Sequence, residues 1–151
     1  HWWHGDMIEL TGSQGSCGGI VVHGRSDATL KPGGVRIGTA EIYRVVESLP
    51  EVDDSIVVGQ PWRGDIRVVL FVKLVTDTTL NDQLKGRIRD WIRREASARH
   101  VPSLIIQVPE IPYTRSGKKV ELAVRAIVCG EEPSNRESIA NPTSLDNFEK
   151  I

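Results

Sequence analysis

Ser55-Ile56-Val57-Val58-Gly59 and, after a short connection, Arg67-Val68-Val69-Leu70-Phe71-Val72-Lys73-Leu74-Val75 are two runs rich in valine and isoleucine. Such side chains fit a pleated, half-buried surface, and the intervening Pro61-Trp62-Arg63-Gly64-Asp65 holds a proline and a glycine suited to a tight turn. The spacing predicts an antiparallel pair of strands with Arg63-Gly64-Asp65 at its tip. On both sides of the pair the apolar spacing becomes helical. Upstream, Ile42, Val45, Val46 and Leu49 share a face, with Thr39 as N-cap and Pro50 as stop, for a helix of about three turns. Downstream, Leu80, Leu84, Ile88, Trp91 and Ile92 mark a second helix running to about Ser97, with Thr79 and Asp82 as an approximate capping pair. Residues 103–108 form another β-rich run closed by Pro109, and residues 111–118 form a polar loop. Val120, Val124 and Ile127 mark a short helix ending near Gly130. Ahead of all these, Ile20-Val21-Val22 reads as a strand entering a glycine-rich loop over residues 24–34. In the tail, residues 131–141 are polar and expected to be mobile, while Leu145, Phe148 and Ile151 could dock one final helical turn.

The chain has 151 residues, 39% hydrophobic and 26% charged, which fits one soluble domain with its own core. A chain of this length can bury roughly 70% of its unfolded surface, so it needs neither disulfides nor a structural metal. Cys17 and Cys129 lie far apart, which excludes a zinc cage or disulfide scaffold and fits the reducing cytoplasm. Lysine and arginine total 19 against 20 acidic residues, a balance that argues against bulk electrostatic binding to nucleic acid or acidic membrane. No apolar run approaches the roughly 20 residues that span a bilayer. The opening His1-Trp2-Trp3-His4 has no initiator methionine and no leader, so the chain is expected to be a piece of a longer polypeptide.

Three local features bear on chemistry. Thr114-Arg115-Ser116-Gly117-Lys118-Lys119 places a lysine after a glycine at the mouth of a helix, where an ammonium can meet a phosphate or carboxylate while the glycine lets backbone approach. It lacks the upstream glycine of a P-loop, and an ordinary solvated turn has the same residues. The loop over residues 24–38 suits a hinge or a ligand-approached backbone, though a plain turn explains its glycines as well. Lys85, Arg89 and Arg93 lie on one helical face with Arg87, Arg94 and Arg99 nearby, either as a solvated face or as a phosphate clamp. No nucleophile, base and orienting group can be assembled into one catalytic constellation.

Four stretches nevertheless occur in a fixed order: Trp3-His4-Gly5-Asp6, Gly24-Arg25-Ser26-Asp27-Ala28-Thr29-Leu30, Gly34-Val35-Arg36-Ile37-Gly38-Thr39-Ala40-Glu41-Ile42 and Pro112-Tyr113-Thr114-Arg115-Ser116-Gly117-Lys118. Together they resemble the C-terminal domain of the adenylate-forming acyl-CoA synthetases, over essentially the whole chain. Ser97-Ala98-Arg99-His100-Val101-Pro102-Ser103, Gly117-Lys118-Lys119-Val120-Glu121 and the tail with Asn141, Pro142, Leu145 and Phe148 are similar to the acetoacetate-activating branch, with another short-chain branch such as the acetate-activating one as the alternative.

The resemblance implies an α+β fold, a small mixed sheet flanked by helices, and the strands and helices read above agree with it. Residues 1–23 would be the connection and first hairpin, 24–34 the hinge and pantetheine loop, 35–130 the α+β domain with its lysine loop at 112–119, and 131–151 a C-terminal extension. It also implies a two-step ligation in which carboxylate and ATP give an acyl-adenylate and pyrophosphate, the domain swings, and coenzyme A attacks. Lys118 would face the reacting carboxylate and α-phosphate, while Asp6 and Arg25 would bind the ribose hydroxyls. Asp27 would be the hinge, Gly34 would line the pantetheine path, and Arg36 would act in the same motif. Lys119, adjacent and equally basic, is expected to point elsewhere and to matter little. The basic helix becomes a candidate for the coenzyme A phosphates. ATP with Mg2+ would be held mainly by an N-terminal adenylation domain of the same protein, no metal site falls in this chain, and alone it would be inert. The partners are then that domain, a small carboxylate, ATP and coenzyme A. A reading from another class, a stand-alone nucleotide- or RNA-binding module built on the basic helix, predicts salt-sensitive binding.

Overall fold

The computed structural model describes residues 6–11, 19–25, 29–133 and 136–149. Strands β1 (Asp6–Thr11) and β2 (Gly19–Arg25) form an antiparallel hairpin of their own. The central sheet is built on β3 (Val52–Trp62) and β4 (Asp65–Leu74), antiparallel and joined by Arg63 and Gly64, both at positive φ. Its third strand, β5 (Leu104–Gln107), lies parallel to β4, so the sheet is mixed, in the order β3-β4-β5. The parallel pairing requires a crossover, which α2 (Asp82–Glu95) supplies.

Alternation along β3 and β4 divides the core into two layers. Val57, Val68, Leu70 and Val72 face α1 (Thr39–Val46) and α2, meeting Ile42, Val45, Val46, Leu84, Ile88 and Ile92. Ile56, Val58, Val69 and Phe71 face the other way, toward α3 (Glu121–Val128) and the tail. With both faces covered, the strands read as continuous apolar runs rather than as strict alternation. Phe71 and Phe148 meet edge to face at 4.7 Å, which seats the 3₁₀ segment Pro142–Phe148 on the sheet. Among the described residues no helix is long and apolar enough to cross a membrane.

Several boundaries differ from the sequence expectations. Helix α1 has 8 residues, about two turns rather than three, and Gly38 occupies its N-cap without a side-chain bond, with Thr39 buried at the first helical position. Helix α2 is capped by Asn81, whose Oδ1 accepts from the Leu84 amide at 2.8 Å, rather than by Thr79. The tail is not loose over its described part: Ile139 is buried and bridges Thr114, and the 3₁₀ turn Arg136–Ser138 precedes it. Ile151 lies outside the described residues.

Candidate functional site

The polar loop after β5 closes through its own threonine. The Thr114 amide donates to the Lys118 carbonyl at 2.8 Å, the Gly117 amide donates to the Thr114 carbonyl at 2.9 Å, and the Lys118 amide donates to Thr114 Oγ1 at 3.0 Å. Gly117 sits at φ 77°, a left-handed position where a Cβ would strain the backbone. The result is a tight turn with Lys118 exposed at its end.

Both stems of this turn are fixed to the start of β3. There the ladder is irregular: Val52 pairs with Leu74 and Asp54 with Lys73, leaving Asp53 as the extra residue of a bulge. The bulge sends two consecutive aspartates to different partners. Asp53 pairs with Lys73 at 2.6 Å on the surface, and that bond, with the attraction of the acidic neighbours, raises the Lys73 pKa. Asp54 turns to the loop: its Oδ2 accepts the Tyr113 hydroxyl at 2.8 Å, and its Oδ1 accepts the Lys119 ammonium at 2.8 Å and the Ser55 amide at 2.8 Å. Lys119 also donates to Glu47 Oε1 and to the Ser55 carbonyl, and stands 4.3 Å over the Tyr43 ring. The side chains of Lys119 and Asp54 keep only 15% and 18% exposure, so these charges act largely outside water. Burial, and then the bond to Asp54, push the Tyr113 hydroxyl above its ordinary pKa. Tyr43 is raised too, by burial first and then by Glu121, which accepts its hydroxyl. The tail closes a third side, with Ala140 donating to the Tyr113 carbonyl and Arg115 to that of Ser138.

A second turn lies at the opposite end of the β3–β4 ribbon. Gly33 and Gly34 take φ 57° and 78°, and the Gly33 amide donates to both oxygens of Asp65 at 3.0 and 3.1 Å. Asp65 pairs with Trp62 at the hairpin tip. Asp54 and Trp62 are eight residue steps apart along β3, which places the two turns roughly 25 Å apart along the strand.

With this geometry in place, the comparisons decide the relationship. Residues 41–118 match the family model described as the AMP-binding enzyme C-terminal domain. The chain belongs to that family. It is 55% identical over 147 residues to the acetoacetyl-coenzyme A synthetase of Rhizobium meliloti (strain 1021), covering 97% of this chain and 22% of that protein. Against the acetoacetyl-CoA synthetase of Gallus gallus it is 48% identical over 151 residues, covering 99% of this chain and 22% of that protein. The solved acetoacetyl-CoA synthetase from Streptomyces lividans superposes with a TM-score of 0.84 at 42% identity, covering 99% of this chain and 22% of that one. The chain thus spans about a fifth of the length of these relatives.

Within this AMP-binding C-terminal domain the residues named from the sequence fall into separate places. Lys118 is exposed at the closing end of the clamped turn, and Gly34 and Arg36 are exposed at the other end of the ribbon. Asp6 and Arg25 are paired across β1 and β2, and Asp27 lies outside the described residues. The basic helix carries a mosaic of exposed and half-exposed ion pairs: Lys85 with Asp82, Arg87 with Glu51, Arg93 with Asp90 and Arg94 with Glu95. Arg94 also stacks on Trp91. Sequence reasoning missed Glu47, Asp54 and Asp65, and it did not foresee the partners of Lys119, which is held in a part-buried acidic cluster by Glu47 and Asp54. The available signal was the acidic Asp53-Asp54 pair opening a strand in a chain with one lysine pair, Lys118-Lys119.

Proposed function

We propose that this chain is the C-terminal domain of an ATP-dependent acetoacetate–CoA ligase. The observation that carries the reading is the division of labour within the lysine pair: Lys119 is held by carboxylates and Lys118 is presented to solvent on a turn braced at both stems. Sequence identity to the acetoacetyl-CoA synthetases over nearly the whole chain supports the acyl group. In the first half-reaction an acetoacetate oxygen attacks the α-phosphorus of ATP, and the bond to the bridging β-phosphate oxygen breaks to release pyrophosphate. Lys118 brings a compact positive charge to the carboxylate and α-phosphate as charge gathers there. In the second, the sulfur of coenzyme A attacks the acyl carbon, AMP leaves, and the thiol proton passes to solvent. Gly34 lines the path of the thiol and Arg36 acts beside it, while Asp6 and Arg25 meet the nucleotide ribose. Because Lys118 and Gly34 occupy opposite ends of one ribbon, the domain turns about Asp27 between the two steps, presenting one end and then the other.

Among the described residues no three His, Cys, Asp or Glu side chains are grouped to hold a metal ion. Magnesium would enter with ATP and be held mainly by the N-terminal adenylation domain. The adenine and acyl sites belong to an N-terminal adenylation domain, and the paucity of cysteine supports a cytoplasmic setting.

The test is Lys118→Ala in the full-length ligase, with the half-reactions run separately. Acetoacetate-dependent pyrophosphate exchange should fall about 10²- to 10³-fold, the usual cost of one well-placed charge donor. Thioester formation from supplied acetoacetyl-adenylate should survive, and exchange with acetate should be much slower than with acetoacetate. Equal loss in both half-reactions would reduce Lys118 to a solvated turn residue.

A further inference from the structure

The adjacent lysines differ in a way that the ligation itself does not require. Lys118 needs only to arrive at the right place, and its neighbour has been taken out of solvent to secure it. The junction is a single carboxylate. Asp54 accepts from Tyr113 on one oxygen and from Lys119 on the other, each at 2.8 Å, and these two residues are the last before and the first after the closed turn Thr114 to Lys118. Tyr113 and Lys119 are bridged to each other as well, so the stems approach each other directly above the carboxylate. The carboxylate is itself aimed by backbone: the bulge at Asp53 rotates it off the strand's regular alternation, and the Ser55 amide holds Oδ1 at 2.8 Å.

We propose that Asp54 is a positioning residue for adenylate formation, acting through Tyr113 and Lys119 to hold the loop that carries Lys118. The proposal rests on the ligase reading above. An ammonium on a flexible four-carbon stem loses precision with every degree of freedom in the backbone beneath it, so fixing that backbone is how the domain controls where the charge arrives. A neutral amide at position 54 keeps the shape of the carboxylate, but it loses the charge opposite Lys119 and one of its two acceptor oxygens. The loop should then sample other positions while the sheet beneath stays intact. Asp54 touches no reacting atom and is not a catalytic residue.

The experiment uses the full-length ligase with Asp54→Asn, Lys118→Ala and the double variant, each assayed in both half-reactions. Asp54→Asn should lower acetoacetate-dependent pyrophosphate exchange by roughly 10- to 100-fold, the scale of an ångström-sized misplacement of an intact group. Thioester formation from supplied adenylate should stay within about twofold, because Gly34 and Asp65 lie at the far end of the ribbon. In the Lys118→Ala background the second substitution should change exchange no further, since there is no ammonium left to misplace. Hydrogen exchange at the Gly117 and Lys118 amides should rise in Asp54→Asn while that of β4 is unchanged. Should Asp54→Asn fail to fold, Tyr113→Phe removes one stem bond and should show the same split to a smaller degree. Equal loss in both half-reactions, or a further drop on top of Lys118→Ala, overturns the positioning role. If Lys118→Ala is damaging and Asp54→Asn is not, the clamp proposal fails and the ligase reading stands. If Lys118→Ala is itself harmless, both fail.

Discussion

The lysine turn and the Gly33–Gly34 turn sit at opposite ends of the same two-stranded ribbon, and both use glycine at positive φ to change direction. Their fastenings differ. The first is pinned by Lys119, Asp54 and Tyr113, which are part-buried, with Glu47 at the exposed rim, and is braced again by the tail through Thr114 and Ile139. The second has its stems bridged by backbone bonds between buried Leu30 and Ile37, but the side chain that fastens its outer part is one exposed carboxylate, Asp65, on one exposed amide, Gly33. In a low local dielectric a satisfied charge network is expensive to break, whereas an exposed bond competes with water at little net cost. The difference matches the two tasks proposed above. A turn that must deliver a charge to one place is served by rigidity, and a turn beside which a long flexible substrate must pass is served by a fastening that yields.

Of the tests that bear on this contrast, the largest expected effect comes from putting a side chain in the proposed path of the thiol. In the full-length ligase Gly34→Leu should cut thioester formation about 100-fold while leaving pyrophosphate exchange nearly intact. Two causes must be separated. A Cβ at Gly34 meets no atom within 4 Å, so within the domain the substitution costs only the left-handed backbone, about 1–2 kcal/mol. Gly34→Ala carries the same backbone cost without the bulk. If alanine is nearly harmless to thioester formation and leucine is not, bulk in the thiol's path is the cause. If alanine is as damaging as leucine, the two turns are alike in needing fixed backbone, and the contrast drawn between them is wrong.

How far the sequence reveals this arrangement follows from the range of each interaction. The antiparallel pair at 55–75, the helical faces of Ile42 and Ile88 and the turn at Gly117 are written in local spacing, and the structure holds all of them. The turn that presents Lys118 was legible because its motif is contiguous. The clamp was not, because Asp54 and Lys119 are 65 positions apart and are brought together by a bulge that no periodicity announces. The same holds for Asp65 and Gly33, where the sequence supplies both residues without their pairing. The tail misled for a related reason: residues 131–141 are polar in composition, yet Ile139 and Asn141 are used individually, one buried and one donating to the Ile111 carbonyl.

A second way to sharpen the contrast is to measure what each fastening contributes to stability. Lys119→Met keeps most of the stem's apolar bulk and removes the ammonium, leaving Asp54 and Glu47 near each other with no cation between them. Breaking a buried pair on one side costs about 3–5 kcal/mol, and the residual exposure of these groups, up to 33% for Glu47, lowers the expectation to about 2–3 kcal/mol. Chemical denaturation should register it as a lower midpoint with an unchanged slope. A change within 0.5 kcal/mol would mean that the cluster is solvated in practice and that the lysine turn is no more firmly held than the glycine turn.

The smallest effect belongs to Asp65→Asn, and its smallness is the point. The asparagine carbonyl can still accept from the Gly33 amide, so one of the two bonds has a substitute, and the second bond and the charge are lost. With Asp65 and Gly33 both exposed, that charge is screened, and the expected stability change is about 0.5 kcal/mol. The local consequence should exceed the global one: the Gly33 amide should exchange faster while the amides of β3 and β4 keep their protection. Asp65→Ala removes the acceptor altogether and should roughly double the stability change without reaching the loss caused by Lys119→Met. If Asp65→Asn instead destabilises as much as Lys119→Met, the single surface carboxylate is holding more than one turn. The ribbon would then be fastened equally at both ends, and the difference in function between its two loops would have to come from their side chains rather than from how firmly they are held.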